Sequence, residues 1–240
     1  IEEFKAGRIG PVACDIETSE EKGEGGKVGL MPFDPRVRLL TVQFSHAPNQ
    51  GVAIMVNHRE STFKDPQSFA FLRQALVDIF ESVDIVGHNF QFDAKALRCR
   101  LGIKDFRLVG DTMLMFHWLA AGKDLSLGLD AMGARYLGTG RHKRESQDWR
   151  EANPGGTFED MPLSLSLDYA CGDTDVTLQC YHIIKQHIES EGRWQQYYDH
   201  HHGVHGVWDV ITSLEWYGMP VDKKALDQLA IEYPKRIDKC

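Results

Sequence analysis

Residues 12–20 read Val-Ala-Cys-Asp-Ile-Glu-Thr-Ser-Glu, an apolar strand start that runs into two acids two positions apart. Side chains alternate across a strand, so Asp15 and Glu17 share one face while Cys14 and Ile16 share the other. A sheet built on this strand must give its acid-bearing face something other than a purely apolar layer. Two neighbouring carboxylates repel each other and resist desolvation. The pair therefore calls either for an exposed strand end or for a bound cation, and the rest of the chain has to decide between them.

The pattern along the chain supplies the surroundings. Residues 11–17 form the first expected strand, followed by a Gly- and charge-rich loop from Ser19 to Arg36. Residues 37–45 alternate and are β-branched, and 51–58 read as a third strand. Turn residues at 46–50 join them, which predicts an antiparallel meander. Residues 65–82 carry apolar positions at helical spacing behind an Asp-Pro start. A short buried strand is expected at 84–89, then helices at 92–102, 111–122 and 126–138, the last two each closed by a glycine. Residues 139–162 lack periodicity and read as a long, mobile loop. A long helix over 165–190 ends before Gly192, 193–218 is helical again, and Gly218 opens a turn into a final helix. Strands first, with helices between and after, predict an α/β or α+β class with a central mixed sheet flanked by helices.

The chain has 240 residues, is 42% hydrophobic and carries a formal net charge of −8. The length allows one large domain, or one and a half small ones. No apolar run approaches the roughly 18 residues needed to span a bilayer, and no signal-peptide pattern opens the chain, so no membrane association is expected. The first residue is Ile1 rather than Met, as a fragment or processed product would show. Five scattered cysteines without a CxxC pair argue against a disulfide framework and a cysteine-rich zinc site, and for a reducing, intracellular location. The acidity counts against a stand-alone DNA-binding module. It permits an enzyme that holds metal ions on clustered carboxylates.

Three further places carry suggestive polar residues. Asp93 follows Asn89 in "NFQFD"; taken alone it is an ordinary helix N-cap. Tyr169 and Asp173 sit at i and i+4 of the long helix and share a face, which by itself fits a half-buried Tyr beside a solvated Asp. Asp111, ahead of an apolar helix, reads as a structural N-cap. Together Asp15, Glu17, Asp93 and Asp173 give four acids from one strand and two helices. Four carboxylates can hold two divalent cations about a scissile phosphate. Carboxylate oxygens suit Mg²⁺ or Mn²⁺ rather than zinc.

The order D-x-E, N-x-x-F-D, Y-x-x-x-D, present as "DIE", "NFQFD" and "YACGD", resembles the three motifs of the DEDDy exonuclease superfamily. The surrounding text, "YACGDTDVTLQCY" above all, is similar to the proofreading 3′→5′ exonuclease domain of family A DNA polymerases, and "LEWYGMPVDKKALDQL" is similar to the start of the polymerase region at the thumb base. The resemblance implies a ribonuclease-H-like (DnaQ-like) fold over residues 1–192, with 193–240 as the first helices of a truncated polymerase region. It implies hydrolysis of the 3′-terminal phosphodiester of single-stranded or frayed DNA, releasing 5′-mononucleotides, by a two-metal mechanism with Mg²⁺ or Mn²⁺. Asp15, Glu17 and Asp173 would hold the first metal, Asp15 would bridge to the second, and Asp93 would support the second through water. Tyr169 would orient the attacking water, and Thr18 and Asn89 would bind the 3′-terminal nucleotide. The implied partner is a polymerase domain in cis, in a monomeric cytoplasmic, nucleoid or organellar protein. The alternatives are a 3′→5′ exoribonuclease of RNase D type and an inactive structural domain of a polymerase.

Other features carry less. Phe92 reads as packing beside Asp93. His201 and His205 lie at i and i+4, but no third ligand completes a zinc set. Gly23, Gly25 and Gly26 lack the Lys-Ser or Lys-Thr of a phosphate loop. Trp194, Tyr197, Trp208, Trp216 and Tyr217 read as core or inter-domain packing. The basic stretch 141–146 is expected to be a solvated part of its loop, with contact to DNA as the alternative.

Overall fold

The computed structural model describes residues 1–19, 32–120, 122–138, 143–203 and 206–237. Gly23, Gly25, Gly26, His205, Cys240 and residues 139–142 of the expected loop lie outside the described residues. The strands are β1 (Val12–Thr18), β2 (Leu39–Ala47), β3 (Gln50–Met55), β4 (Ile85–Gly87) and β5 (Leu108–Asp111). The helices are α1 (Glu2–Lys5), α2 (Pro66–Ser82), α3 (Gln91–Leu101), α4 (Thr112–Ala120), α5 (Leu129–Leu137), α6 (Arg144–Ala152), α7 (Leu163–Ser190), α8 (Trp194–His201), α9 (Val207–Tyr217) and α10 (Lys223–Ile237).

The five strands form one mixed sheet in the order β3-β2-β1-β4-β5. β1, β2 and β3 make the expected antiparallel meander, while β4 pairs parallel with β1 and β5 parallel with β4. Cys14 and Ile16 turn to one face of the sheet and pack with Leu72, Leu76 and Phe80 of α2 and Leu97 of α3. Completely burying side chains such as Leu76, Phe80 and Leu97 stabilises by about 1.5–3 kcal/mol each. The long helix α7 lies across β1, β2 and β3 and packs through Val176, Tyr181 and Ile184 against α4 and α5. β1 pairs with β4 only at Val12 and Ala13, so its acid-bearing half runs past the end of β4.

Two expectations require correction. Residues 139–162 are not one loop: α6 occupies 144–152, and a 3₁₀ turn at Phe158–Asp160 follows. Thr157 and Asp160 cap that turn reciprocally, with Thr157 N and Oγ1 donating to Asp160 Oδ2 at 2.9 and 2.7 Å. The helix escaped an apolar search because positions 143, 146 and 150, one face of a helix, hold Lys, Ser and Arg instead of apolar residues. Second, the run at 193–218 is two helices, broken between His201 and Val207. In addition, β5 is a four-residue strand too short to alternate visibly, so Asp111 ends a strand as well as beginning a helix.

Candidate active site

The acids meet where β1 outruns β4. Asp15 and Glu17 point toward α7, and each stands directly across from a polar residue of β2: Asp15 opposite Gln43 and Glu17 opposite Thr41. Gln43 Nε2 donates to Asp15 Oδ2 at 2.9 Å, and Thr41 Oγ1 donates to Gln43 Oε1 at 3.0 Å. Both β2 residues are completely buried. This relay fixes the Asp15 carboxylate. Asp173 comes down from α7, where it is 7% exposed. One ligand oxygen from each of Asp15, Glu17 and Asp173 lies within 4.8 Å of the others.

Asp93 stands beside this group at the first turn of α3. It is 4% exposed, and its Oδ1 is buried with no hydrogen-bond partner. A turn at 87–90 launches α3, and its geometry is demanding. Asn89 takes a left-handed φ of 54°, which Asn tolerates better than most residues. A Cβ on Gly87 would sit 2.5 Å from Phe90 Cβ, so only glycine permits the approach. Asp111 holds the turn from below. Its Oδ1 accepts from Asn89 N and Met113 N, both at 3.0 Å, and its Oδ2 accepts from Phe90 N at 2.8 Å. Asp111 is thus the expected cap of α4, and it also clamps the turn that presents Asp93.

The electrostatics follow from burial and crowding. Burial first, then the Asp173 charge, pushes Asp15 up to about 7. Glu17 is pushed well up by burial and by Asp15 and Asp173, against the opposing pull of Arg150 and Lys143. Asp93 is raised by burial and by Asp15. Tyr169 is partly buried, and burial together with Glu17, Asp173 and Asp15 keeps its phenol neutral. Its ring packs on Phe158 of the 3₁₀ turn, centroids 6.3 Å apart. Burial lowers neighbouring His88 to about 4, and its Nδ1 lies 2.9 Å from Thr112 Oγ1. Thr18 is buried at the end of β1, and Asn89 is exposed on its turn.

A hard divalent cation fits these residues. The donors are all carboxylate oxygens, the set that Mg²⁺ and Mn²⁺ prefer. The unpaired Asp93 Oδ1 offers a further acceptor beside them. Among the described residues no second such group occurs, and His201 is instead packed between Trp118 and Tyr197.

Sequence reasoning missed the cations that face the acids. Lys143 Nζ lies 3.1 Å from Asp173 Oδ1 and 3.0 Å from Asp130 Oδ1 of α5. It stands 5.6 Å from the Tyr169 ring centre, and the Arg150 guanidinium stands 6.0 Å from it. The signal was present as the helical spacing of 143 and 150 in a segment read as loop. Gln43 gave no such signal, because its role depends on facing Asp15 across the β1–β2 ladder.

A mixed sheet ordered 3-2-1-4-5, with clustered acids beyond the ends of parallel strands and a Tyr one helical turn before the last acid, defines a 3′–5′ exonuclease domain of ribonuclease-H-like type. The profile of a 3′–5′ exonuclease family matches residues 2–189, and the chain belongs to that family, the 3′–5′ exonuclease domain of family A DNA polymerases. A DNA polymerase of Bacillus phage SP01 is 24% identical over 258 residues, covering 95% of this chain and 25% of that protein. The chain spans a quarter or less of the length of the curated polymerases it matches. Among solved structures, Brucella melitensis NrnC with bound Mg²⁺ is similar with a TM-score of 0.54 at 21% identity, over 79% of each chain. The POL domain of Pol1 from M. smegmatis, in complex with DNA primer-template and dNTP, is similar with a TM-score of 0.62 at 15% identity, covering 99% of this chain and 34% of that one.

Proposed function

We propose that this domain hydrolyses the 3′-terminal phosphodiester of single-stranded or frayed DNA and releases 5′-mononucleotides. The observation that carries the reading is the convergence of Asp15, Glu17 and Asp173, with the unpaired Asp93 oxygen beside them. Asp15, Glu17 and Asp173 would hold one divalent cation, and Asp15 with Asp93 a second. When bound, Mg²⁺ or Mn²⁺ supplies Lewis-acid polarisation of the scissile phosphate and acidification of the attacking water. Tyr169, kept neutral, offers its hydroxyl to that water and fixes its line of approach. Thr18 and Asn89 flank the acids from β1 and the α3 turn, where a terminal nucleotide would sit. The Gln43–Thr41 relay keeps Asp15 from rotating as charge develops. The cationic face of α6 supplies positive charge to an anionic substrate on a chain of net charge −8.

In the full protein the domain would proofread for a polymerase in cis. We propose residues 1–192 as the exonuclease and 193–240 as the polymerase-side helices. α8 packs on the exonuclease core through Tyr197 and α9 packs on it through Trp208, while α9 and α10 leave Leu214, Tyr217, Leu226 and Ile231 exposed. Such uncovered apolar faces fit helices with further chain to pack against. All proposed site residues come from one chain, so a monomer suffices. Among the described residues no helix is long and apolar enough to cross a membrane. The scattered cysteines, without a CxxC pair, support an intracellular, reducing location.

The test is cleavage of 5′-labelled single-stranded DNA and RNA of one sequence, with Mg²⁺ or Mn²⁺ against EDTA. Stepwise shortening of DNA from the 3′ end, abolished by EDTA, is expected. Preference for RNA would favour the RNase D type, and internal or EDTA-resistant cuts would contradict the reading.

A further inference from the structure

We propose that Lys143 makes metal loading depend on a bound phosphate group: its ammonium competes with a divalent cation for Asp173 and yields when a phosphate oxygen takes it. The inference rests on the metal-site reading above and deepens it.

Lys143 Nζ is 3.1 Å from Asp173 Oδ1, within the same set of acids that converge to 4.8 Å. A hard divalent cation sits about 2.1 Å from its carboxylate oxygens. An ammonium and such a cation on one carboxylate are therefore close like charges, and each lowers the affinity of the site for the other. The contact is sheltered, with the Lys143 side chain 17% and the Asp173 side chain 10% exposed, so solvent screens it poorly.

Two features let the lysine give way. It also pairs with Asp130, whose side chain is 56% exposed and lies outside the converging acids, so the ammonium keeps an anchor on α5. It also stands at the N-cap of α6, on a four-carbon stem that can turn without moving the helix. A terminal phosphate seated beside the acids offers the ammonium a non-bridging oxygen. Once Lys143 is paired there, its repulsion of the cation is neutralised. Coupling is reciprocal: phosphate tightens metal binding, and metal tightens phosphate binding.

The experiment is Mn²⁺ titration of the 240-residue chain, followed by the EPR signal of free Mn²⁺, with and without deoxyadenosine 5′-monophosphate. Mn²⁺ held by the nucleotide alone is subtracted. In the wild type the nucleotide should tighten Mn²⁺ binding by about fivefold or more. Lys143→Met should bind Mn²⁺ tighter than wild type by a similar factor without nucleotide, and gain less than wild type on its addition, keeping only the part that comes from direct contact of phosphate with the metal. Asp130→Asn, which removes an exposed partner and leaves Lys143 more charge to direct at Asp173, should bind Mn²⁺ more weakly; this arm decides the matter if Lys143→Met does not fold. Lys143→Met binding no tighter than wild type, a full nucleotide effect persisting in it, or Asp130→Asn binding as tightly as wild type would each overturn the proposal. A wild type that binds no Mn²⁺ under either condition would instead overturn the metal site beneath it.

Discussion

Asp111→Ala removes the carboxylate that ties the α3 launch turn to the start of α4. Three of its hydrogen bonds are short: Asn89 N and Met113 N at 3.0 Å and Phe90 N at 2.8 Å, with Leu114 N more distant at 3.4 Å. Losing the cap of α4 costs about 1 kcal/mol. Phe90 is completely buried, so its N–H is left without water and costs about 1–3 kcal/mol. Asn89 is exposed, and water can replace its bond at small cost. The total is about 3 kcal/mol, which for a chain of this size lowers Tm by roughly 6–12 °C. Asp111→Asn keeps an acceptor for Asn89 and Met113 but turns an amide N–H₂ toward Phe90 N–H, so its Tm should fall between those of wild type and Asp111→Ala. The assay is thermal unfolding with and without Mg²⁺. The Mg²⁺-induced rise should shrink as well, because the turn presents Asp93. An Asp111→Ala protein melting within about 2 °C of wild type would refute the clamp.

Two further outcomes follow from the site. Burial, then the Asp173 charge, pushes Asp15 up from an ordinary 3.8 to about 7, so between these values the native state favours the protonated carboxyl more than the unfolded chain does. Without metal, that contribution to stability is complete below pH 3.8 and is lost as pH rises toward 7. Tm should therefore fall across this window in EDTA, while the rise produced by Mg²⁺ or Mn²⁺ grows, because the ions must displace that proton; a metal effect that shrinks as pH rises would contradict this. Tyr169→Phe should leave folding and metal-induced stabilisation near wild type and slow hydrolysis by roughly ten- to a thousandfold. Asp173→Asn should damage both, and equal loss of metal binding in the two variants would show that the phenol is not merely positioning water.

Legibility in the sequence followed the kind of pattern each element carries. β1, its paired acids and the meander were readable because alternation reports sheet faces directly. Asp93 and Asp173 were ambiguous one at a time, and became informative only in order with Asp15 and Glu17. α6 was hidden because Lys143 at its N-cap, Ser146 and Arg150 share one side at helical spacing: a helix held to an acidic site advertises itself in charge periodicity, not in apolar periodicity. β5 was hidden by its length, and the second role of Asp111 by the fact that capping uses only part of a carboxylate. Gln43 was missed because a buried amide between apolar neighbours resembles any strand residue until its partner across the ladder is known. The packing roles expected of Trp194 and Tyr197 hold, while Tyr217 stands 82% exposed on α9.

The most direct measurement is single-turnover cleavage of 5′-labelled single-stranded DNA by wild type and by Asp15→Asn with Glu17→Gln, in Mg²⁺, with Tm recorded for both. These substitutions keep side-chain size, keep a partner for Gln43 and remove two charges whose burial is unfavourable. The double variant should therefore melt at or above the wild-type temperature in EDTA, lose the Mg²⁺-induced rise, and release no 5′-mononucleotide from the 3′ end. Continued 3′-end release at the wild-type rate by the folded double variant would show that the acids at the end of β1 are not the catalytic metal site.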